Sequence, residues 1–508
     1  MERKQMKYLG KSTMMASAVA LTTSAAFAQE AAVDIPPVTL FKNVMVFDGV
    51  NDGLQDVDVL VVKNMIHKIA EDIPEAGKWE VEVKTGGAKR LPDPVGGMDG
   101  YSFTIQTERG IETKEVEVNV VDGGGRTLMP GLIDSHVHVN MYKDGTIPGL
   151  QDTTWEEIGA RSAAFAQEML AMGFTTIRDM CGAHGGLRTV IDQGLLAGPR
   201  IYSSGACLSQ TGGHGDWGIA GQRKNESNLE RLEITRLVDG PAEVLQGGRR
   251  NFALGANYLK IMVSGGVTSI KDPIYQSAFT DEEISAAVEV AGDMDSYVAM
   301  HVFMDSDLGR ALDLGVKVVD HGLTISEENM KKLVEKKAFF SPNLTALAPE
   351  ALEHPMHQDP TFPPTAKFLW LRKNSEQLMD LVREYKPKMV FDSDYVLLTG
   401  VPYRQSMDFT KAFVAREFGN LWALQMMTSN GGELAALTGR GNPYPEGKLG
   451  VIEEGAYADI LVVDGNPLED ISAIGAVDTW FDAEPRGQDV PSIRVIMKDG
   501  KFYKNTLD

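Results

Sequence analysis

Between residues 38 and 71 the apolar positions come in short branched or alternating blocks. They are Thr39-Leu40-Phe41-Lys42-Asn43-Val44-Met45-Val46-Phe47, then Val57 to Val62, then Met65 to Ile69, with Asp48-Gly49 and Lys63-Asn64 as turns. This pattern predicts strands. Residues 72–118 follow no period and carry Gly86-Gly87, Pro92, Pro94 and Gly96-Gly97, so they read as an irregular insertion. A further strand, Val116 to Val121, leads to Gly123-Gly124-Gly125 and on to the next apolar run.

Beyond residue 128 the pattern changes. Apolar runs at 132–138, 175–180, 200–205, 257–264, 296–303, 316–321, 338–344 and 388–394 predict buried strands. Helical periodicity lies between most of them, at 155–172, 281–293, 306–314, 326–336 and 366–384. Strand–helix alternation of this kind predicts an α/β fold, a (β/α)₈ TIM barrel over 128–440, with the long helical pattern 407–438 closing it. A doubly wound open sheet is the alternative, but no phosphate-type glycine fingerprint follows the first strand. After 448 short strands return, at 458–463, 493–497 and 501–503. The segments 29–127 and 441–508 are therefore expected to form one small β-sandwich domain into which the barrel is inserted.

The first 28 residues differ from all of these. Arg3, Lys4, Lys7 and Lys11 precede an Ala-rich apolar run that closes in Ala26-Phe27-Ala28, the form of a cleaved signal peptide (1–28), so export to a periplasm or secretion is expected. No later run is long enough to span a bilayer. The net charge of −22 grows more negative once that cationic leader is gone, which argues against nucleic acid or anionic lipid as a partner. With two cysteines, Cys181 and Cys207, there is no disulfide framework and no cysteine-based zinc site. Two buried thiols are expected, a single bridge being the alternative in an oxidising compartment.

The candidate chemistry sits at strand ends. Residues two apart on a strand face the same side, so His136 and His138, at the end of Gly131-Leu132-Ile133-Asp134-Ser135-His136-Val137-His138, can aim at one point. Only nine histidines occur in 508 residues, and His301 and His321 also end apolar runs. Strand ends of a barrel converge on one face, which would gather His136, His138, Lys260, His301, His321 and Asp394. Such a nitrogen and oxygen donor set suits Zn²⁺ or a similar divalent ion. A lysine ammonium would be repelled there, so Lys260 should be neutral or converted to an anionic carbamate by CO₂.

The chain resembles the amidohydrolase superfamily, in its imidazolonepropionase-like and Xaa-Pro-dipeptidase-like branch. The resemblance is carried by Leu128-Met129-Pro130-Gly131 through His138, by Lys260-Ile261-Met262-Val263-Ser264-Gly265-Gly266-Val267-Thr268-Ser269, and by His301, Asp320-His321-Gly322 and Phe391-Asp392-Ser393-Asp394. Gly447-Lys448-Leu449-Gly450 and Gly455-Ala456-Tyr457-Ala458-Asp459 complete it, and together the motifs span 38–505. The resemblance implies two divalent ions, Zn²⁺ by expectation: His136, His138 and Asp394 on one, His301 and His321 on the other, and a carboxylated Lys260 bridging them. It also implies that a hydroxide shared by the metals attacks a C–N amide bond, with Asp394 moving the proton to the leaving amine. The usual Gly-Thr-Asp of the last strand is Asp392-Ser393-Asp394 here, so either acid could point inward; Asp394 keeps the hydroxyl residue directly before it.

On the substrate side, Thr211-Gly212-Gly213-His214-Gly215-Asp216 resembles the family's glycine-rich loop, and His214 is a candidate donor to the substrate carbonyl or developing oxyanion. Tyr142 and Tyr275 are candidates for a carboxylate or a side chain of the substrate, whereas His184, His354 and His357 read as rim or structural. The expected activity is hydrolysis of a dipeptide (Xaa-Pro-like) or N-acyl amino acid by a homo-oligomer. The alternatives are a mononuclear imidazolonepropionase-like or deaminase-type hydrolase of a cyclic substrate, and a non-catalytic binding scaffold.

Overall fold

A computed structural model describes residues 37–75, 118–354 and 357–507, together with the backbone of short strands between Trp79 and Val116. The leader expected at 1–28 lies outside the described residues. The stretch read as an irregular insertion contains strands of its own: Thr113–Val116, Trp79–Glu82, Gly100–Thr104 and Pro94–Gly97 pair in that order. Gln106–Thr107 and Gly110–Ile111 pair separately, and most of what is left of 76–117 lies outside the described residues.

Strands from both ends of the chain meet in one mixed sheet. Its order is Lys501–Asn505, Ile493–Lys498, Ile460–Val463, Val118–Pro130, Val38–Val46, Asp58–Val62 and Met65–Ala70, with Gln55–Asp56 beside Val38–Val46. Val38–Val46 and Val118–Pro130 run parallel, and their neighbours are antiparallel. One apolar cluster, including Phe41, Val44, Val59, Leu128 and Val462, packs against this sheet. The strand expected at Val116 to Val121 runs on to Pro130, and the three glycines lie inside it. Gly124 and Gly125 adopt φ of 57° and 78°, and the register against Val38–Val46 slips between Lys42 and Val44. A Cβ on Gly123 would fall 2.3 Å from Val44 Cγ1, so the glycines absorb a bulge rather than a stop. The long strand then delivers the chain at Pro130 directly to Leu132–Val137.

Leu132–Val137, Phe174–Asp179 and Arg200–Ser203 form a parallel sheet, and Thr235–Leu237, Cys207–Ser209, Leu259–Met262, Val298–Val302, Val318–His321, Phe339–Ser341 and Lys388–Met389 form a second one. Backbone bonds join them at both edges: Asn257 N–H donates to Ser203 O at 2.7 Å, and Ser135 N–H to Phe391 O at 2.8 Å. These strands are apolar and buried on both faces because helices cover them. Asp281–Asp293 is one such helix, started by a Thr280/Glu283 capping box. The helical pattern at 407–438 resolves into Gly400–Phe418, Asn420–Met427 and Ser429–Ala436, broken at Gly419 (φ 87°) and Thr428. Among the described residues no helix is long and apolar enough to cross a membrane.

Cys181 and Cys207 are not a pair of thiols but a disulfide. Gly182 N–H donates to Gly205 O at 2.8 Å, which lays the two segments side by side and leaves the cysteine Cα atoms 4.9 Å apart.

Candidate active site

His136 and His138 leave the end of Leu132–Val137 on the same side, as strand alternation requires. The buried Asp134 carboxylate fastens this end to the segment opposite: its Oδ1 accepts from His136 N at 3.0 Å and from Ser393 N at 3.3 Å. That segment is not a strand beyond Met389. Asp394 sits in the left-handed region at φ 50°, its N–H donating to His136 O at 2.9 Å. His321 (φ 68°) and Asn343 (φ 35°) are left-handed too, a concentration of backbone strain typical of functional sites.

The turn at Asp394 decides between the two acids. On a regular strand 392 and 394 would share a face; here they do not. Asp392 Oδ2 accepts from Ser341 Oγ at 2.6 Å and from Asn343 N at 2.9 Å, a structural position. Asp394 Oδ1 lies 3.0 Å from His138 Nε2 and 3.2 Å from His136 Nε2, and its Oδ2 lies 3.7 Å from His321 Nδ1.

His136, His321 and Asp394 offer ligand atoms that all lie within 4.8 Å of one another. The Nε2 atoms of His136 and His138 face the Asp394 carboxylate, while Nδ1 of His136 turns to Asp320 Oδ1 at 3.6 Å and Nδ1 of His138 is buried without a hydrogen-bond partner. Buried imidazoles whose nitrogens converge on a carboxylate fit a divalent ion of the Zn²⁺ type. The His301 ring is 4.6 Å from that of His321, and its Nε2 is 3.3 Å from Gly265 O. Lys260 turns its Nζ to Asp320 Oδ2 at 2.5 Å, and Asp320 Oδ1 also takes Arg178 Nη2 at 2.9 Å. All six expected ligands line one cavity of about 80 Å³.

Burial lowers the pKa of His138 and His301, and brings His321 to about 3, keeping them in the neutral form that ligates metals. Burial acts on His136 too, but Asp394 and Asp320 outweigh it and raise this group to about 9. Asp394 is the counterpart: burial would raise it, yet His136, His138 and His321 hold it well below the carboxylate range. Burial also lowers Lys260 against the pull of Asp320, and raises Asp392 to about 6 and Asp134 to about 7.

His214 lies at the same cavity, its ring stacked on that of His301 at 4.2 Å and 12°. Met141, Ile147, Trp217, Met262 and Val396 give the cavity an apolar wall. Neither Tyr142 nor Tyr275 lines it. Tyr142 is buried, donating to Glu168 and accepting from Gly400 N at 3.0 Å, while Tyr275 is 71% exposed. His184 bonds to Glu233 O and His357 stacks on Phe368, both away from the cavity, and His354 lies among Trp480 and Phe481. Asp320, quoted above only as part of a motif, and Arg178, Asn343 and Asp272, which the sequence does not single out, hold the site residues by hydrogen bonds or ion pairs. Asp320 alone had a signal, since it adjoins His321.

The profile of the amidohydrolase family matches residues 127–502. An ochratoxinase from Aspergillus niger is 29% identical over 409 residues, covering 74% of this chain and 75% of its own. A prolidase complexed with N-methylphosphonate-L-proline superposes with a TM-score of 0.72 at 28% identity, over 92% of this chain and 100% of that one. A Xaa-Pro dipeptidase with methionine bound in its active site does so with a TM-score of 0.67 at 25% identity, again over 92% and 100%.

Proposed function

The chain belongs to the amidohydrolase family, and we propose that it hydrolyses the C–N amide bond of a dipeptide or an N-acyl amino acid at a two-ion centre. The observation that carries this reading is the gathering of His136, His138, Lys260, His301, His321 and Asp394 at one small buried cavity. The prolidase and the Xaa-Pro dipeptidase among its structural neighbours support a dipeptide with proline as leaving group. A (β/α)₈ barrel carried on a small β-domain is the architecture proposed with it.

When bound, divalent ions of the Zn²⁺ type acidify water and polarise an amide carbonyl. His136, His138 and Asp394 would hold one, and His301 and His321 the other. Lys260, whose amine burial biases toward the neutral form, adds CO₂ with loss of a proton to give a carbamate whose two oxygens share one negative charge. Arg178 keeps Asp320 paired when Lys260 is so converted, so the buried carboxylate is not orphaned. Asp394 takes the proton of the attacking water and returns it to the leaving amine. His214 contacts the substrate beside the scissile carbonyl, and the wall of Met141, Ile147, Trp217 and Met262 accepts an apolar side chain. The Cys181–Cys207 disulfide supports the exported location that the leader suggests.

A one-ion site is the second reading. It is favoured by the tight His136, His321 and Asp394 cluster and by the Lys260–Asp320 pair, which needs no modified lysine. Metal analysis of the purified protein, coupled to assays on Xaa-Pro dipeptides and N-acyl amino acids, separates the two. Two ions per chain with turnover is the expected result; full activity with one ion selects the second reading.

A further inference from the structure

We propose that Asp272 is the positioning residue of His214, fixing which ring nitrogen faces the substrate; this rests on the role given to His214 above. His214 Nδ1 lies 3.2 Å from Asp272 Oδ2 and 2.8 Å from Ser269 Oγ. The Asp272 side chain is wholly buried, and the same Oδ2 accepts from Gly266 N at 2.7 Å. An ionised carboxylate only accepts, so the nitrogen facing it carries the hydrogen and Nε2 is the ring atom left for substrate, an acceptor in the neutral ring and a donor to the carbonyl oxygen only in the imidazolium form.

The surroundings are built for this arrangement. Gly266 presses on the imidazole so closely that a Cβ there would fall 2.1 Å from His214 Cε1, and the ring is stacked on His301. Lys367, from the helix Pro363–Asn374, donates to Gly266 O at 2.8 Å and Ser269 O at 2.7 Å, fastening the loop that carries the acceptors. Its Nζ is 3.9 Å from Asp272 Oδ1, an oxygen with no hydrogen bond of its own. A buried carboxylate left half unsatisfied is costly. What it secures here is a histidine that can neither flip nor change tautomer.

Two readouts test the assignment. In the proton spectrum of the holoprotein, a far-downfield His214 Nδ1–H resonance is expected, absent from His214→Ala and from Asp272→Ala but kept by Asp272→Asn, whose amide oxygen can accept at the same place. In kinetics on a Leu-Pro dipeptide, Asp272→Ala should lower kcat about 10- to 100-fold at unchanged metal content, with Asp272→Asn recovering most of it. The double variant with His214→Ala should be no slower than His214→Ala alone. A resonance that survives in Asp272→Ala, or losses that multiply in the double variant, overturns the proposal. Should the wild type turn over neither dipeptides nor N-acyl amino acids, the functional reading fails, and the resonance still decides the role of Asp272.

Discussion

Asp394 reaches His136 twice: its backbone N–H bonds to the histidine carbonyl at 2.9 Å, and its carboxylate lies 3.2 Å from the same residue's Nε2. One residue therefore both closes the backbone between two segments far apart in sequence and sets an acid against the imidazoles. The left-handed turn at φ 50° makes this geometry available and sends Asp392 elsewhere.

Asp394→Asn should therefore lose about 10²- to 10⁴-fold in kcat while retaining much of its metal, because the missing step is proton transfer. Asp392→Asn keeps an oxygen for Ser341 and Asn343 and should stay active. Steady-state kinetics beside metal analysis of both variants decides; an inactive Asp392→Asn with an active Asp394→Asn would reverse the assignment.

What the sequence made legible was what depends on neighbours in sequence. Strand alternation put His136 and His138 on one side, and the ends of Val298–Val302 and Val318–His321 fell within a few residues of their periodic runs. What it hid depends on contacts across the fold. Arg178 and Asp272 look like ordinary charged residues until Asp320 and His214 are folded against them. The triple glycine has the composition of a turn, and only the Val44 side chain opposite it makes it a bulge. Within 407–438 the break at Gly419 had a residue to mark it, whereas Thr428 carries no helix-breaking chemistry and its break was not legible.

Asp134 should make stability fall with pH. Burial raises its folded pKa to about 7, against about 3.9 unfolded, so the folded state holds that proton more tightly. The resulting stabilisation is complete below about pH 4 and is lost as pH rises through about 7. Asp134→Asn keeps the oxygen that serves His136 N and Ser393 N and cannot ionise, so urea unfolding of chelator-treated protein should show a flatter profile between pH 5 and pH 8. Parallel profiles for the two proteins would contradict this.

The Cys181–Cys207 bridge closes a loop of sequence separation 26, for which chain entropy gives a stabilisation of about 3.5 kcal/mol. Cys207→Ala should unfold at clearly lower urea than the wild type, with the difference vanishing under reducing conditions. Alkylation of the unreduced, unfolded protein followed by mass measurement should find no free thiol; two labelled cysteines would remove the bridge from the account.

Lys260 is where the one-ion and two-ion readings part. Its Nζ pairs with Asp320 Oδ2 at 2.5 Å, an arrangement that a purely structural lysine would keep. If that pair were its whole purpose, Lys260→Ala would still leave Asp320 matched to Arg178, and both metal and activity would largely survive. A carbamate, in contrast, supplies two oxygens sharing one negative charge, placed across the cavity from the Asp394 carboxylate, so its loss should take metal and turnover away together. A short carboxylic acid such as propionate fits the space vacated by a lysine side chain and carries the same two oxygens. Partial recovery of both metal content and turnover in Lys260→Ala on adding propionate is therefore the expected result, and near-normal activity of Lys260→Ala without any added acid would leave the two-ion reading without its bridge.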